Sequence, residues 1–196
     1  MSIMNIEISK VAKLPTTHGD FIIQSFKEEH AKGIKEHLVI FTKDLLQNQN
    51  IPNIRIHSEC LTGDAIGSIK CDCQAQLNYA LDFIDDQTGM VIYLRQEGRD
   101  IGLLNKVNAY ALQDDGMDTC EANIALGFKD DERTYEIVDF IFNYYKIDKI
   151  NLITNNPDKL NNLKVDIIDR LPVKVGKTAQ NSEYLKVKKE KMGHLL

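Results

Sequence analysis

A chain of 196 residues, 43% hydrophobic and 27% charged, has the size and composition of one globular domain that can bury a core without disulfide staples. Its 29 acidic residues outnumber 24 basic ones, and a net charge of −5 argues against a general nucleic-acid binder, which needs a basic face. No apolar run approaches a membrane span, and the amino-terminal MSIMNIEISK lacks the apolar core of a signal peptide. The expectation is therefore a cytoplasmic protein with no membrane partner and with reduced thiols.

Residues 3 to 13 (IMNIEISKVAK) alternate loosely and predict a strand closed by Pro15. Phe21 to Phe26 and His37 to Thr42 are rich in β-branched and aromatic residues and predict two more strands. The polar stretch Lys43 to Asn53 predicts a loop. Ile54, Ile56 and Ser58 then alternate with Arg55, His57 and Glu59, so a strand sends the three ionisable side chains to one face. Leu77, Ala80, Leu81 and Ile84 form a helical stripe, followed by a buried strand from Met90 to Leu94. A helix over IGLLNKVNAYALQ is expected to turn Leu104, Val107 and Ala111 inward and to end at Gly116. A long helix from Tyr135 to Tyr145, a strand from Lys149 to Thr154, a short helix opened by Asn156-Pro157 and a strand from Val165 to Ile168 complete the pattern. The tail SEYLKVKKEKMGHLL predicts an amphipathic helix on the surface or against a partner. Strands first, then strands alternating with helices, predict an α/β fold: one domain over residues 1–196, with a mixed β-sheet flanked by helices and a strand-rich amino-terminal part.

Chemistry concentrates in RIHSECLTGDAIGSIKCDC, Arg55 to Cys73. It holds Cys60, Cys71 and Cys73, three of the chain's four cysteines. Thiolates are preferred zinc ligands, and three protein ligands with a fourth position left to solvent make a catalytic rather than a structural site. The bland possibility is three buried thiols. Cys120 is either a buried thiol or a fourth thiolate that closes the metal site. Glu97-Gly98-Arg99 offers a carboxylate suited to a guanine edge, a flexible backbone and a forked cation suited to phosphate. As an exposed strand-end loop it would be equally ordinary. Asp130 to Arg133 precedes the long helix, where acids also favour a helix dipole. Thr154 to Lys159 suits a phosphate as well as a common turn, and Tyr110 alone reads as a core aromatic. No P-loop is present. Open α/β sheets commonly bind ligands at the carboxyl ends of their strands, where these clusters fall.

In order, RIHSECLTGDAIGSIKCDC, LRQEGRDIGLLNKVNAYALQDDGMDTCEAN, LGFKDDER and LITNNPDK closely resemble GTP cyclohydrolase II, the first enzyme of riboflavin biosynthesis, from about Leu14 to the KMGHLL tail. The resemblance implies a stand-alone homodimeric enzyme that hydrolyses GTP at purine carbon 8, releasing formate and pyrophosphate. It implies Zn²⁺ on Cys60, Cys71 and Cys73, and Mg²⁺ with the triphosphate. It assigns GTP contacts to Arg55, Ile56, His57, Ser58, Glu59, Gln76, Glu97, Gly98, Arg99, Thr119, Thr154 and Lys159. Asp131 is the expected proton acceptor, Arg133 the expected nucleophile toward the α-phosphorus, and Tyr110 serves ring opening. A guanidinium lacks a free lone pair, so a phosphate clamp is the more natural role for Arg133. Glu59 is the expected base beside the metal. Gln74 and Leu94 depart from the family's glycine and histidine. Three rival functions are open to a chain of this kind. A zinc deaminase matches only His57-Ser58-Glu59, because P-C-x-x-C is missing. A relative within the family would stop at the formamide, against which Tyr110 argues. A nucleotide binder with a structural zinc would use Cys120 as its fourth ligand.

Overall fold

The computed structural model describes residues 5–30, 33–47 and 50–195. Ile3 and Met4 of the first expected strand, Asn48 and Gln49 of the expected loop and Leu196 of the tail lie outside the described residues.

Hydrophobic alternation organises these residues into one eight-stranded mixed sheet. Strands β1 (Asn5–Ile8) and β2 (Ala12–Thr16) both run antiparallel to β3 (Gly19–His30). The expected single strand is thus two, interrupted where Ser9 takes over. Its N–H donates to Ser25 O at 3.0 Å and its hydroxyl accepts the Ser25 N–H at 2.9 Å, so a side chain replaces part of the ladder. Strand β4 (Gly33–Thr42) pairs antiparallel with β3 and with β6 (Gly89–Leu94). Strand β5 (Asn53–Ser58) lies parallel between β6 and β7 (Lys149–Ile153), and β8 (Asp166–Leu171) adds in parallel to β7. The order is β1-β3-β4-β6-β5-β7-β8, with β2 alongside β3. Parallel pairing brings the carboxyl ends of β5, β6 and β7 together, at Ser58, Leu94 and Ile153.

Short helix α1 (Leu61–Asp64) follows β5, and α2 (Cys73–Gln87) crosses to β6. After β6 come the tight turn α3 (Glu97–Asp100), α4 (Gly102–Asp114), α5 (Thr119–Ala125) and α6 (Glu136–Tyr145). Helices α7 (Pro157–Asn161) and α8 (Ser182–Glu190) complete the chain. The expected stripe of α2 is where it should be: Ala80, Leu81 and Ile84 pack with Phe21, Ile40, Val91 and Ile153 on one face of the sheet. Ile137, Val138, Ile141 and Phe142 of α6 cover the other face, over Ile54, Ile56, Met90, Ile92, Leu94 and Leu152. Each such buried side chain contributes about 1.5–3 kcal/mol against exposure. Helix α6 stops at Lys146, which adopts the left-handed conformation at φ 58°. Asn156 caps α7 by accepting the Asp158 N–H at 3.0 Å, with Pro157 at the first position.

Four expectations need correction. Leu45 of the expected polar loop is buried in the α6-side core. Strand β8 begins and ends later than Val165 to Ile168, running on to Leu171 where it pairs with Ile153. On α4 the expected inner stripe faces out: Leu104 is 76% and Val107 53% exposed, and Ala111 is exposed too. Ile101, Lys106 and Ala109 turn inward instead, because α4 borders a polar cavity rather than the apolar core. The tail does form a helix, but it folds back over that same cavity rather than serving only as outer surface. No helix among the described residues is long and apolar enough to cross a membrane.

Candidate active site

Three strand ends meet at one cavity of about 160 Å³. Strand β5 supplies Arg55 and His57 from its α2-facing side, then Ser58, Glu59 and Cys60. Its apolar partners Ile54 and Ile56 point into the α6-side core. The β6 end supplies Gln96 to Arg99, and the β7 end supplies Thr154 to Asn156.

Cys60 precedes α1, and Cys71 and Cys73 sit at the start of α2. Their sulfurs all lie within 4.8 Å of one another, with Cys60 and Cys71 at 3.6 Å. A tetrahedral zinc with bonds of about 2.3 Å sets its sulfurs about 3.8 Å apart, so the donor set fits a single metal. Gly63 in α1 lies under this tripod. A Cβ there would sit 2.9 Å from Cys71 Sγ and 3.1 Å from Cys60 Sγ. All four cysteines are free. Cys120 is not in the group; its sulfur lies 3.9 Å from an Arg99 nitrogen, so no fourth thiolate closes the site. His57 is not in the group either, which removes the H-x-E arrangement of a deaminase.

Charge is arranged around the sulfurs. The Lys106 ammonium donates to Cys60 Sγ at 3.1 Å and to Glu97 Oε1 at 2.7 Å. Hydrogen bonds from the neighbouring thiols and the Lys106 charge hold the Cys60 thiol far below its ordinary range, and Cys60 and Cys71 together with burial push Cys73 up. Glu97 also accepts from Leu61 N at 2.7 Å and Gly98 N at 3.0 Å. Of about four lone-pair sites on a carboxylate, the protein itself takes three. Gly98, Arg99 and Asp100 are all left-handed, at φ 63°, 62° and 75°. For the two non-glycines this costs on the order of 1–3 kcal/mol each. It is held by the Lys35–Asp100 ion pair and by Glu132 N donating to Arg99 O at 3.2 Å.

Asp64, which no sequence pattern singles out, is the hub under β5. It accepts from Cys60 N at 2.9 Å, Tyr93 OH at 2.8 Å and His57 Nε2 at 3.0 Å. The His57 ring stacks on Tyr93 at 5.3 Å. Burial depresses the His57 pKa, so the ring is neutral. Gln76 carbonyl oxygen accepts from Arg55 at 2.5 Å while its amide donates to Asp72. Lys159 is buried against the Ile56 carbonyl at 2.7 Å, which is how Ile56 enters the site: through its backbone only. Burial, Arg55 and Arg133 hold the Lys159 pKa well below its usual value.

Arg133 lines the cavity and Asp131 stands behind it. Arg133 Nε donates to Asp131 at 2.9 and 3.1 Å, a terminal nitrogen closes the fork, and the other reaches Ser58 Oγ at 3.4 Å. Burial works against the Asp131 carboxylate, but Arg133 more than offsets it and leaves the pKa below normal. The Tyr110 hydroxyl lies 3.3 Å from Thr62 Oγ1, and burial raises its pKa. The Lys70 and Lys106 ammonium groups sit 5.0 and 5.6 Å from its ring. Glu59 is held by Arg95 Nε at 2.8 Å, and Thr119 is on the cavity wall beside α5. Gln74 Nε2 donates to Asp64 O at 3.3 Å, and Leu94 is fully buried in the core. Neither departure disturbs the tripod.

Among the described residues, six buried side-chain polar atoms lack a hydrogen-bond partner. Five belong to residues of this cavity: Arg55, His57, Arg99, Asn156 and His194. Buried polar atoms are normally satisfied, so such a concentration marks a ligand site. Of the residues that sequence reasoning misses, Lys106 has a signal: Lys106, Tyr110 and Gln113 share a helical face opposite the apolar stripe. Asp64, Tyr93, Tyr184, Lys188 and His194 have none.

Three converging thiols beside buried cations, at the carboxyl ends of parallel strands, define an enzyme acting on an anionic substrate. The chain belongs to the GTP cyclohydrolase II family, whose model matches residues 7–172. It is 61% identical over 194 residues to GTP cyclohydrolase-2 of Campylobacter hominis, covering 98% of this chain and 97% of that one. It is 59% identical over 194 residues to the Campylobacter fetus protein of the same name, again covering 98% and 97%. Against that of Helicobacter acinonychis it is 56% identical over 192 residues, covering 97% and 98%.

Proposed function

We propose that this chain, acting as one domain, is a zinc-dependent GTP cyclohydrolase II. It hydrolyses GTP at purine carbon 8 and releases formate and pyrophosphate. The product is 2,5-diamino-6-(5-phosphoribosylamino)pyrimidin-4(3H)-one, in the first step of riboflavin biosynthesis. One observation carries the reading: in a member of this family, a tripod of three thiols that could hold a metal and a set of unsatisfied buried polar atoms share a single cavity.

Cys60, Cys71 and Cys73 would hold the zinc, which when bound supplies Lewis-acid activation of water for hydrolysis. Lys106 offsets the excess negative charge of three thiolates and braces Glu97. Glu59, next to Cys60 and held by Arg95, is the base beside the tripod. Tyr110 remains protonated, so its hydroxyl donates a proton during ring opening. Arg55, His57, Ser58, Gln76, Gly98, Arg99, Thr119, Thr154 and Lys159 bind the nucleotide, with Mg²⁺ accompanying its triphosphate. The Ile56 contribution is the carbonyl that holds Lys159.

Every side-chain nitrogen of Arg133 is engaged as a donor, and the Asp131 fork strengthens its charge. That supports a clamp on the α-phosphate, with Asp131 as the anchor of the clamp and a weak proton acceptor. A guanylyl group found on Arg133 by mass spectrometry of quenched enzyme would refute the clamp. The outward stripe of α4, with Leu103 41%, Leu104 76% and Val107 53% exposed, is the candidate homodimer face.

The test is incubation of zinc-loaded protein with GTP and Mg²⁺, following formate and pyrophosphate together. Both products are expected in equal amounts. Cys71→Ser should abolish formate release; ammonia as the product, or formate release retained in Cys71→Ser, would sink the reading.

A further inference from the structure

Four residues of the carboxyl-terminal segment line the cavity: Tyr184, Lys188, Met192 and His194. Three polar anchors hold that segment down. Lys188 Nζ donates to Asp72 Oδ1 at 2.8 Å, between the two paired cysteines. The Lys191 ammonium bonds Asp118 and reaches Glu121 Oε1 at 3.3 Å, at the start of α5. The Leu195 N–H donates to Asn155 O at 2.9 Å, at the end of β7. Yet α8 contains no fully buried residue, so it lacks the apolar grip that fixes α2 and α6. It is attached by polar contacts that a charged ligand can exchange.

His194 shares the cavity lining with Lys188 of its own segment and with Arg99, Arg133 and Lys159. Its Nε2 is buried without a partner. An unpartnered imidazole nitrogen buried in a cavity that four basic side chains also line suits an anionic ligand, and a polyphosphate would satisfy both. The segment thus forms one wall of the cavity at the strand ends, and a ligand seated there meets it.

We propose that the segment from Ser182 to Leu195 is part of the nucleotide site: a strap that opens to admit GTP and closes with Lys188 and His194 on the triphosphate. The inference rests on the reading of GTP as substrate and adds two phosphate-binding residues to it. Lys188 leaves Asp72 for the phosphates on closure, and His194 Nε2 donates to a phosphate oxygen.

The test is calorimetric binding of GTP and of GMP to the zinc-loaded protein, wild type and variants, with steady-state kinetics alongside. Lys188→Ala and His194→Ala should each weaken GTP binding by about tenfold or more, the usual size of a lost charge-assisted bond. GMP binding and zinc content should change little, and Lys188→Arg should recover most of the loss. The exposed Lys186 on the same helix provides the control, and Lys186→Ala should bind as wild type. GTP should also protect the Lys186 to Lys191 stretch from trypsin. Failure of the wild-type chain to bind GTP would strike the nucleotide reading itself. Wild-type GTP binding that neither Lys188→Ala nor His194→Ala weakens would overturn the strap. So would a chain truncated after Asn181 that binds GTP more tightly than the full one, because the segment would then be an obstruction.

Discussion

Gly63→Ala isolates the tripod from everything else in the cavity. In a helix interior alanine is favoured over glycine by about 1 kcal/mol, and Gly63 has no positive φ to lose. Backbone effects alone would therefore stabilise the variant. Sterics oppose them: the new methyl would stand 2.9 Å from Cys71 Sγ, 3.1 Å from Cys60 Sγ and 3.1 Å from Cys73 Cβ. Non-bonded carbon contacts are comfortable at about 3.5–4.0 Å, so the sulfurs must spread by roughly half an ångström. Metal ligands tolerate only about 0.2 Å. Without metal the thiols are free to move apart, and the apoprotein should lose nothing or gain up to about 1 kcal/mol in denaturant unfolding. With metal the spread geometry is penalised, and zinc affinity should fall by about tenfold to a hundredfold, comparable to loss of a supporting contact. Competition with a chromophoric chelator measures that affinity, and formate release should fall in step with bound zinc. A variant that binds zinc as tightly as wild type would refute the argument that the three thiols converge on one ion above Gly63.

Three other expectations follow from particular contacts. Asp131→Asn leaves Arg133 buried among Lys159 and Arg55 without its carboxylate, and should cost about 3–5 kcal/mol in chemical denaturation, as broken buried pairs do; a loss under about 1 kcal/mol would mean that solvent reaches the guanidinium. Burial and the surrounding cations hold the His194 pKa down at about 3 in the docked strap. Between that value and the ordinary value of about 6.5, a released strap takes up a proton that the docked one refuses, so docking weakens as pH falls, by at most about 1.4 kcal/mol per pH unit. The Leu195 amide, followed by NMR, should report release between about pH 6 and 4, within roughly two units below 6.5, and His194→Gln should flatten the profile. Finally, Leu104→Glu with Val107→Glu places two charges on the outward stripe of α4 and should yield monomers by light scattering; an unchanged mass would move the subunit contact elsewhere.

What is legible in the sequence follows from which face each residue turns to the core. The stripes of α2 and α6 and the strands β5, β6 and β7 can be read because they bury apolar side chains with clear periodicity. The cysteine tripod is equally legible, since three soft ligands in one short segment have few other uses. The same logic misreads α4. Its inward face carries Lys106 and Tyr110 because the neighbour is a cavity, and periodicity assigns the apolar stripe to a core that is not there. Asp64 and His194 escape because their importance lies in partners far along the chain. Asp64 collects Tyr93 from 29 residues away, and Lys188 reaches Asp72 across 116 residues. No local pattern encodes such pairs. The tail misleads for a related reason: mean polarity suggests solvent, whereas here the polar groups face a polar chamber.

Strand β5 lies inside the sheet between two parallel partners, β6 and β7. Its amides should be among the last to exchange with heavy water, while those of α8, tied by a few ionic contacts, should exchange early. One chamber is thus lined both by a central strand of the sheet and by a helix with no fully buried residue. Traffic through the entrance can proceed at the pace of a fraying end, and the sulfurs at the floor need not feel it.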